Sequence, residues 1–249
     1  MFGSVERYSP AAGRRGAGSL GGRLLRVLLI ALILYLVVSR FLASSYKIES
    51  VSMEPALRPA DRVIVSVLSF GARVPFTGTW LPGTELPARG DLVVVQPPFT
   101  GEPSLIARIL EPLASFLTLQ KVTLHRDIYG SRVNGYMVKR LVGMPGDTVR
   151  LASFALFVKP RGGSSFLPEQ QIVPVRYEIR TAQDAQGWSS TFPFSGNTQE
   201  ITLGDNQYFL LGDNRTESSD SRSWGPLTRD RIIGKVIYRY WPPASFGSR

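Results

Sequence analysis

Two serines and a lysine in this sequence could together hydrolyse a bond without a metal or a thiol. Ser50 and Ser52 stand in "IESVSMEP", residues 48–55, and Lys139 stands in "YMVKRLVGMPGD", residues 136–147. A serine hydroxyl becomes a nucleophile when a nearby base takes its proton, and a lysine amine becomes that base once it is neutral. At its ordinary value of about 10.4 only about one lysine in a thousand is neutral at pH 7; burial that lowers it by about 3 units makes the free amine a large fraction. In a strand, Lys139 shares a face with Met137 and Leu141, so burial of that face would supply the shift. The segment alone leaves a second reading open, a solvent-facing strand lysine beside Arg140. Serines in a loop also commonly satisfy backbone groups in turns and caps.

A third stretch, "GDNRTESSDSRSWG" (212–225), sets Ser218, Ser219, Asp220, Ser221 and Arg222 side by side, denser in acid, base and hydroxyl than a plain turn requires. A buried aspartate with a fixed arginine partner holds a site rigid. In the second stretch, Pro145 and Gly146 fit the middle of a type II turn, with Asp147 placed to bond the turn backbone.

The inventory removes competing chemistries. There is no cysteine and a single histidine, His125. Disulfides, a thiol nucleophile, a cysteine-ligated zinc and paired-histidine metal motifs are excluded. No metal site and no cofactor is expected; His125 is at most one candidate imidazole base, and proton transfer otherwise falls to lysine, carboxylate or tyrosine.

The net charge is +10, from 29 Lys and Arg against 19 Asp and Glu. Such an excess is the footprint of nucleic-acid binding when it is clustered on a folded surface. Here Arg7, Arg14, Arg15, Arg23 and Arg26 crowd the N-terminal side of the run "LLRVLLIALILYLVVSRFLAS", residues 24–44. The placement reads as a membrane topology signal, and no nucleic-acid partner is expected. The run has roughly the 20 residues that cross about 30 Å of hydrocarbon, with Arg26 and Arg40 able to snorkel at its ends. By the positive-inside rule the N-terminus is cytoplasmic and residues 45 onward lie outside. A cleavable secretory signal, cut near Ala43, Ser44 and Ser45, is the alternative; the run exceeds the usual apolar region of about 7 to 15 residues.

The rest must position the serines and the lysine, and it reads mainly as strand. Residues 62–68, 91–96, 136–143, 148–153, 173–180, 207–213 and 235–241 are short, rich in β-branched and aromatic residues, and bounded by Gly, Pro, Asp or Asn. No helical run suits a parallel crossover, so the expectation is an all-β domain with inserted loops or a subdomain. Residues 69–90 read as a surface excursion. Residues 103–120 carry helical apolar spacing broken by Pro112, which suits the core or the membrane surface. The expected organisation is a flexible cytoplasmic tail over 1–22, a transmembrane helix over 23–44, and an extracytoplasmic catalytic domain over 45–249 with an insertion at about 154–205.

The order of an apolar N-terminal segment, "SVSMEPAL", "GDLVVVQPP", "YMVKRLVGMPGD" and "GDNRTESSDSRSWG" resembles bacterial type I signal peptidase, or leader peptidase, a Ser/Lys-dyad serine endopeptidase family. These motifs span much of residues 24–241; residues 69–90, 99–135 and 154–205 carry no matching motif. The resemblance implies Ser52 as nucleophile, Lys139 as general base, and an oxyanion hole from the Ser50 hydroxyl and the Ser52 backbone N–H. It implies that Ser218 orients the lysine, that Asp220 and Arg222 form a supporting ion pair, and that Asp213 and Arg215 are structural. It further implies pockets for small residues at the first and third positions before the cut, walled by Tyr46, Ile48, Met53, Leu57, Met137 and Val138.

The implied partners are preprotein signal peptides and membrane lipid, for a monomer in the bacterial cytoplasmic (inner) membrane. Glu49, Val51 and Ala56 depart from the commoner family pattern, and Glu49 sets a charge beside Ser50. A Ser/Lys autoprotease shares the dyad but needs no membrane anchor. A non-enzymatic membrane-tethered β-domain that binds envelope components would leave Ser52 and Lys139 unexplained.

Overall fold

The computed structural model describes residues 17–71, 79, 81–100, 135–181, 196–245 and 247–248. Helix α1, Ala17–Val37, carries the apolar sequence. Its stretch Leu20–Val37 is long and apolar enough to cross a bilayer, and none of it is buried against protein. Twenty-one residues rise about 31 Å, close to the thickness of a hydrocarbon core. A wider helical turn over Val38–Leu42 follows, and the chain becomes extended at Ala43, with φ −150° and ψ 144°. The apolar run therefore divides: its last residues, Ala43 and Ser44, are strand residues.

The remainder is mainly β. In chain order the strands are β1 (Ala43–Lys47), β2 (Arg62–Ser66), β3 (Leu92–Val95), β4 (Met137–Gly143), β5 (Thr148–Ala152) and β6 (Ala155–Lys159). They continue with β7 (Leu167–Pro168), β8 (Ile201–Thr202), β9 (Gln207–Leu211), β10 (Leu227–Thr228), β11 (Ile232–Trp241) and β12 (Gly247–Ser248). The larger sheet runs β1-β2-β11-β3-β4-β9-β10, with β12 on β11; a smaller one runs β7-β6-β5-β8. All the pairings between these strands are antiparallel.

Burial explains why these segments are strands. In β3 Leu92, Val93, Val94 and Val95 are all buried, as a strand covered on both faces must be. β2 alternates less and more buried positions, with Val63 and Val65 turned inward. These two valines pack with Ile48, Met53, Leu57, Leu92, Val94 and Val236. On β9, Phe209 and Leu211 pack against Val149, Leu151, Leu156 and Val158, which binds the smaller sheet to the larger. Burying each such side chain contributes roughly 1.5–3 kcal/mol.

Two sequence expectations change. Residues 173–180 alternate like a strand, yet only Arg180 makes a ladder pair, with Asn214. Pro174 lacks a ladder donor, and the segment spends Tyr177 on a buried carboxylate instead. Conversely, β6 falls in a stretch expected to be an insertion. Its hairpin with β5 turns at Ser153 and Phe154, both at positive φ (48° and 65°), a pair without the Asn, Asp or Gly that signals such a hairpin turn. The Pro145–Gly146 turn is present, with Gly146 at φ 82°. Met144 N–H donates to the Asp147 carboxylate at 2.7 Å. Residues 103–120 and His125 lie outside the described residues, as do 72–78 and Trp80 in the 69–90 excursion.

Candidate active site

Ser52 sits on a single helical turn, Val51–Met53, that follows the extended Ser50. The turn is held from outside. Asn214 N–H donates to the Ser52 carbonyl at 3.1 Å, and Asn214 Nδ2 donates to the Val51 carbonyl at 3.3 Å. Ser52 is buried, and its Oγ lies 3.0 Å from Ser50 Oγ.

Lys139 reaches the same oxygen from the middle of β4. It pairs across the ladder with Val93, and its neighbour Arg140 pairs with Leu92 and Leu211. Neither faces water: Lys139 is 1% exposed and Arg140 4%. Lys139 Nζ donates to Ser52 Oγ at 2.8 Å and to Ser218 Oγ at 3.1 Å. Burial brings its ammonium down from an ordinary 10.5 to about 8. The charges of Asp220 and Asp213 oppose that fall, and that of Arg222 assists it. Desolvation dominates because the amine's hydrogen bonds go to hydroxyls and the acids act only from a distance.

Ser218 is set by a close backbone approach. A Cβ on Gly212 would run into Ser218 Oγ and stand 2.5 Å from the Ser52 carbonyl oxygen, so only glycine lets β9 continue past the site. Asp220 follows, fully buried, and caps the short helix Ser221–Trp224. Arg222 Nε donates to Asp220 Oδ1 at 2.8 Å and Nη2 to Oδ2 at 2.9 Å, while Gly212 N–H donates to Oδ2 at 3.1 Å. Burial alone would raise the Asp220 carboxyl, but the bonds and charge of Arg222, with Lys139, hold it below the usual carboxylate range.

A second ionic layer lies beside this one. Arg140 grips Asp213 through Nε at 2.7 Å and Nη2 at 2.6 Å. Arg215, fully buried, places Nη2 at 2.6 and 2.7 Å from the two oxygens of Glu169. Tyr177 donates its hydroxyl to Glu169 and lays its ring 3.8 Å from the Arg140 guanidinium. Burial would lower the Arg215 guanidinium, yet Glu169 outweighs it and leaves the group above its ordinary value.

Next to Ser50 a cleft of about 300 Å³ opens, lined by Tyr46, Ile48, Met53, Met137 and Val138 and also by Val94, Phe99 and Tyr136. Tyr46 and Tyr136 meet edge to face, with ring centroids 5.7 Å apart. Lys47 and Glu49 add opposite charges to its wall. Leu57 does not line this cleft; it is completely buried in the core cluster that contains Met53. Among the described residues no group of three or more His, Asp or Glu side chains could hold a metal ion.

The structure thus brings Ser50, Ser52, Lys139, Ser218, Asp220 and Arg222 into one contiguous hydrogen-bonded cluster. Sequence reasoning missed Asn214, which carries only a turn signal, and Glu169, which lies 46 positions from its partner Arg215 in a stretch without a motif.

Residues 22–241 match the family described as signal peptidase, peptidase S26. The chain is 26% identical over 223 residues to a probable signal peptidase I-2 of Synechocystis sp., covering 89% of this chain and 74% of that one. It is 25% identical over 221 residues to signal peptidase IB of Staphylococcus aureus, covering 87% of each. A crystal structure of a signal peptidase I from Enterococcus faecalis V583 is similar at 20% identity and a TM-score of 0.34, covering 61% of this chain and 98% of that one. The family match spans nearly the whole chain and includes each element that carries the cluster: this chain belongs to the signal peptidase family, peptidase S26.

Proposed function

We propose that this protein is a membrane-anchored serine endopeptidase that removes signal peptides from exported preproteins, with Ser52 as nucleophile and neutral Lys139 as general base. One observation carries the assignment of roles: a buried amine 2.8 Å from a serine oxygen, with its other hydrogen bond also to a hydroxyl. When the amine is neutral, the Ser52 hydroxyl donates across that contact. Its proton passes to Lys139 Nζ as Oγ bonds the scissile carbonyl carbon. The oxyanion that forms takes hydrogen bonds from the Ser50 hydroxyl and the Ser52 backbone N–H. Collapse breaks the peptide bond, and the Lys139 ammonium protonates the departing amine. Lys139 then takes a proton from water as the water oxygen attacks the acyl-enzyme carbonyl. Collapse breaks the bond to Ser52 Oγ, the Lys139 ammonium returns that proton to Oγ, and the signal peptide leaves with a free carboxylate. Ser218 orients the amine, and the Asp220–Arg222 pair fixes the loop that carries Ser218.

The apolar cleft beside Ser50 suits small side chains before the cut, the Ala-x-Ala pattern, because shallow walls exclude larger groups. α1 anchors the enzyme, and Ser52 lies eight residues beyond the apolar run, at most roughly 29 Å along an extended chain. The cut therefore falls where a signal helix leaves the bilayer. Arg7, Arg14 and Arg15, with Arg23 and Arg26 in the first half of α1, hold the N-terminal end in the cytoplasm, with residues 45–249 outside the bacterial cytoplasmic membrane, and the enzyme acts on lipid-embedded substrate as a monomer.

The test is incubation of purified full-length protein with a preprotein in detergent. Wild-type protein cuts after the small residue, and Ser52→Ala, folded by its thermal transition, does not. Equal cleavage by the two would sink the assignment.

A further inference from the structure

We infer that Glu169 is a positioning residue for the Ser52–Lys139 dyad and acts through Arg215. The inference rests on the peptidase reading above. Glu169 opens a one-turn helix, Glu169–Ile172, immediately after β7 in the smaller sheet, and is 1% exposed. The proposed chemistry has no use for this buried acid, yet the protein builds a closed set of contacts around it. Arg215 Nη2 and the Tyr177 hydroxyl both donate to it. The remaining Arg215 nitrogens are used as well: Nε donates to the Gly212 carbonyl at 2.9 Å and Nη1 to the Phe154 carbonyl at 3.2 Å.

Gly212 is the residue whose Cα lies against Ser218 and the Ser52 carbonyl, and its N–H holds Asp220. The Arg215 carbonyl accepts from Arg222 Nη1 at 2.6 Å. Between Arg215 and Gly212 lies Asn214, whose N–H holds the Ser52 carbonyl. One carboxylate thus fixes one guanidinium, and that guanidinium fixes the loop that supports nucleophile, base and orienting serine. Without the carboxylate, a buried cation is left with no adjacent counter-charge. It would turn toward the nearest acids, and Asp220, which already attracts it, is the partner of Arg222. Arg215 would then let go of Gly212.

The test compares full-length wild type, Glu169→Gln, Glu169→Asp, the double variant Glu169→Gln/Arg215→Gln, and Ser52→Ala on one preprotein. kcat and KM are measured per folded molecule, with folding scored by thermal unfolding. Displacements on the order of an ångström at a dyad lower rate by about 10²-fold. Glu169→Gln should lose about that in kcat with KM unchanged, since the cleft is built from other residues, and Glu169→Asp, which keeps the charge, should recover part of the loss. The double variant removes both charges and so leaves no unpaired buried cation; it should be more stable than Glu169→Gln and still cut slowly, and it carries the test if Glu169→Gln does not fold. A double variant whose rate returns along with its stability would overturn the inference, as would a folded Glu169→Gln with wild-type kcat. Cleavage by Ser52→Ala would instead sink the peptidase reading, so the two failures are distinguishable.

Discussion

Lys139 and Arg215 are almost equally hidden from water, at 1% and 0% exposure, and they share one site, yet they are treated in opposite ways. Arg215 faces a carboxylate and two carbonyls, which keeps its charge permanent. Lys139 is given two hydroxyls and keeps its acids at a distance, which makes its charge optional. Both cations lose their hydration on folding, but only one receives a counter-charge in contact. The fold thus builds a scaffold from paired charge and leaves an unpaired charge where the proposed mechanism needs a base, and each side of that contrast can be broken by substitution.

The largest effect falls on the unpaired side. Lys139→Met should lower cleavage by about 10⁴-fold or more, as removal of a dyad member does. The same change should stabilise the protein at neutral pH. The folded value of about 8 lies below the ordinary 10.5, so between these two pH values the unfolded chain binds more protons and stability rises with pH. The penalty for the buried ammonium, about 3 kcal/mol for a shift of this size, is fully present below about pH 8 and absent above about 10.5. Thermal unfolding of wild type and Lys139→Met should therefore differ at pH 7 and converge as pH approaches 10.5. A wild type more stable than Lys139→Met at pH 7 would contradict this account of the lysine.

Next in size is Ser218→Ala, which removes one of the two hydroxyls that hold the amine. kcat should fall by about 10²-fold, the lower end of what a positioned base contributes. The pH midpoint of kcat should move below that of the wild type, because a bond donated by the ammonium favours the charged form. A drop in rate with no change in midpoint would leave Ser218 a packing role only. In the wild type itself, with chemistry limiting, kcat should climb by about tenfold per pH unit below about 8 and level above it. A rate flat from pH 5 to 9 would rule out a titrating base.

The two halves of the contrast are unequally legible in the sequence. Ser218, Asp220 and Arg222 stand in a stretch dense in functional types, whereas Ser52 and Lys139 stand out through the resemblance. Strand alternation sets Lys139 on a face with Met137 and Leu141 but leaves open whether that face is buried, and in the fold both Lys139 and its neighbour Arg140 are buried. β2, β3, β4, β5, β9 and β11 are visible as β-branched runs between turn residues. Glu169 is not visible, because a buried ion pair joins positions far apart in sequence and neither local stretch shows the other. β1 is hidden because Ala43 and Ser44 continue an apolar run, and the strand emerges only through pairing with Ser66 and Val65. Leu57 reads as a cleft wall only through the resemblance; packing buries it completely in the core cluster that contains Met53.

The smallest effect belongs to a paired charge at the surface. Arg180 Nη1 lies 2.6 Å from Glu54 Oε2, joining the segment after Tyr177 to the residue that follows Met53. By position it resembles the Glu169–Arg215 pair, a tie between a distant segment and the site. Its side chains, however, are 61% and 22% exposed, and pairs of that kind contribute about 0–1 kcal/mol and weaken in salt. The tie that matters there is main chain: Arg180 N–H donates to the Asp213 carbonyl at 2.9 Å, and the Arg180 carbonyl accepts from Arg215 N–H at 2.8 Å. Arg180→Ala keeps both of those bonds. It should shift stability by less than about 1 kcal/mol, less still at high salt, and leave kcat close to wild type. A loss in Arg180→Ala as large as that expected for Glu169→Gln would show that exposure does not separate the two pairs, and that surface charge at Arg180 acts on the nucleophile turn directly.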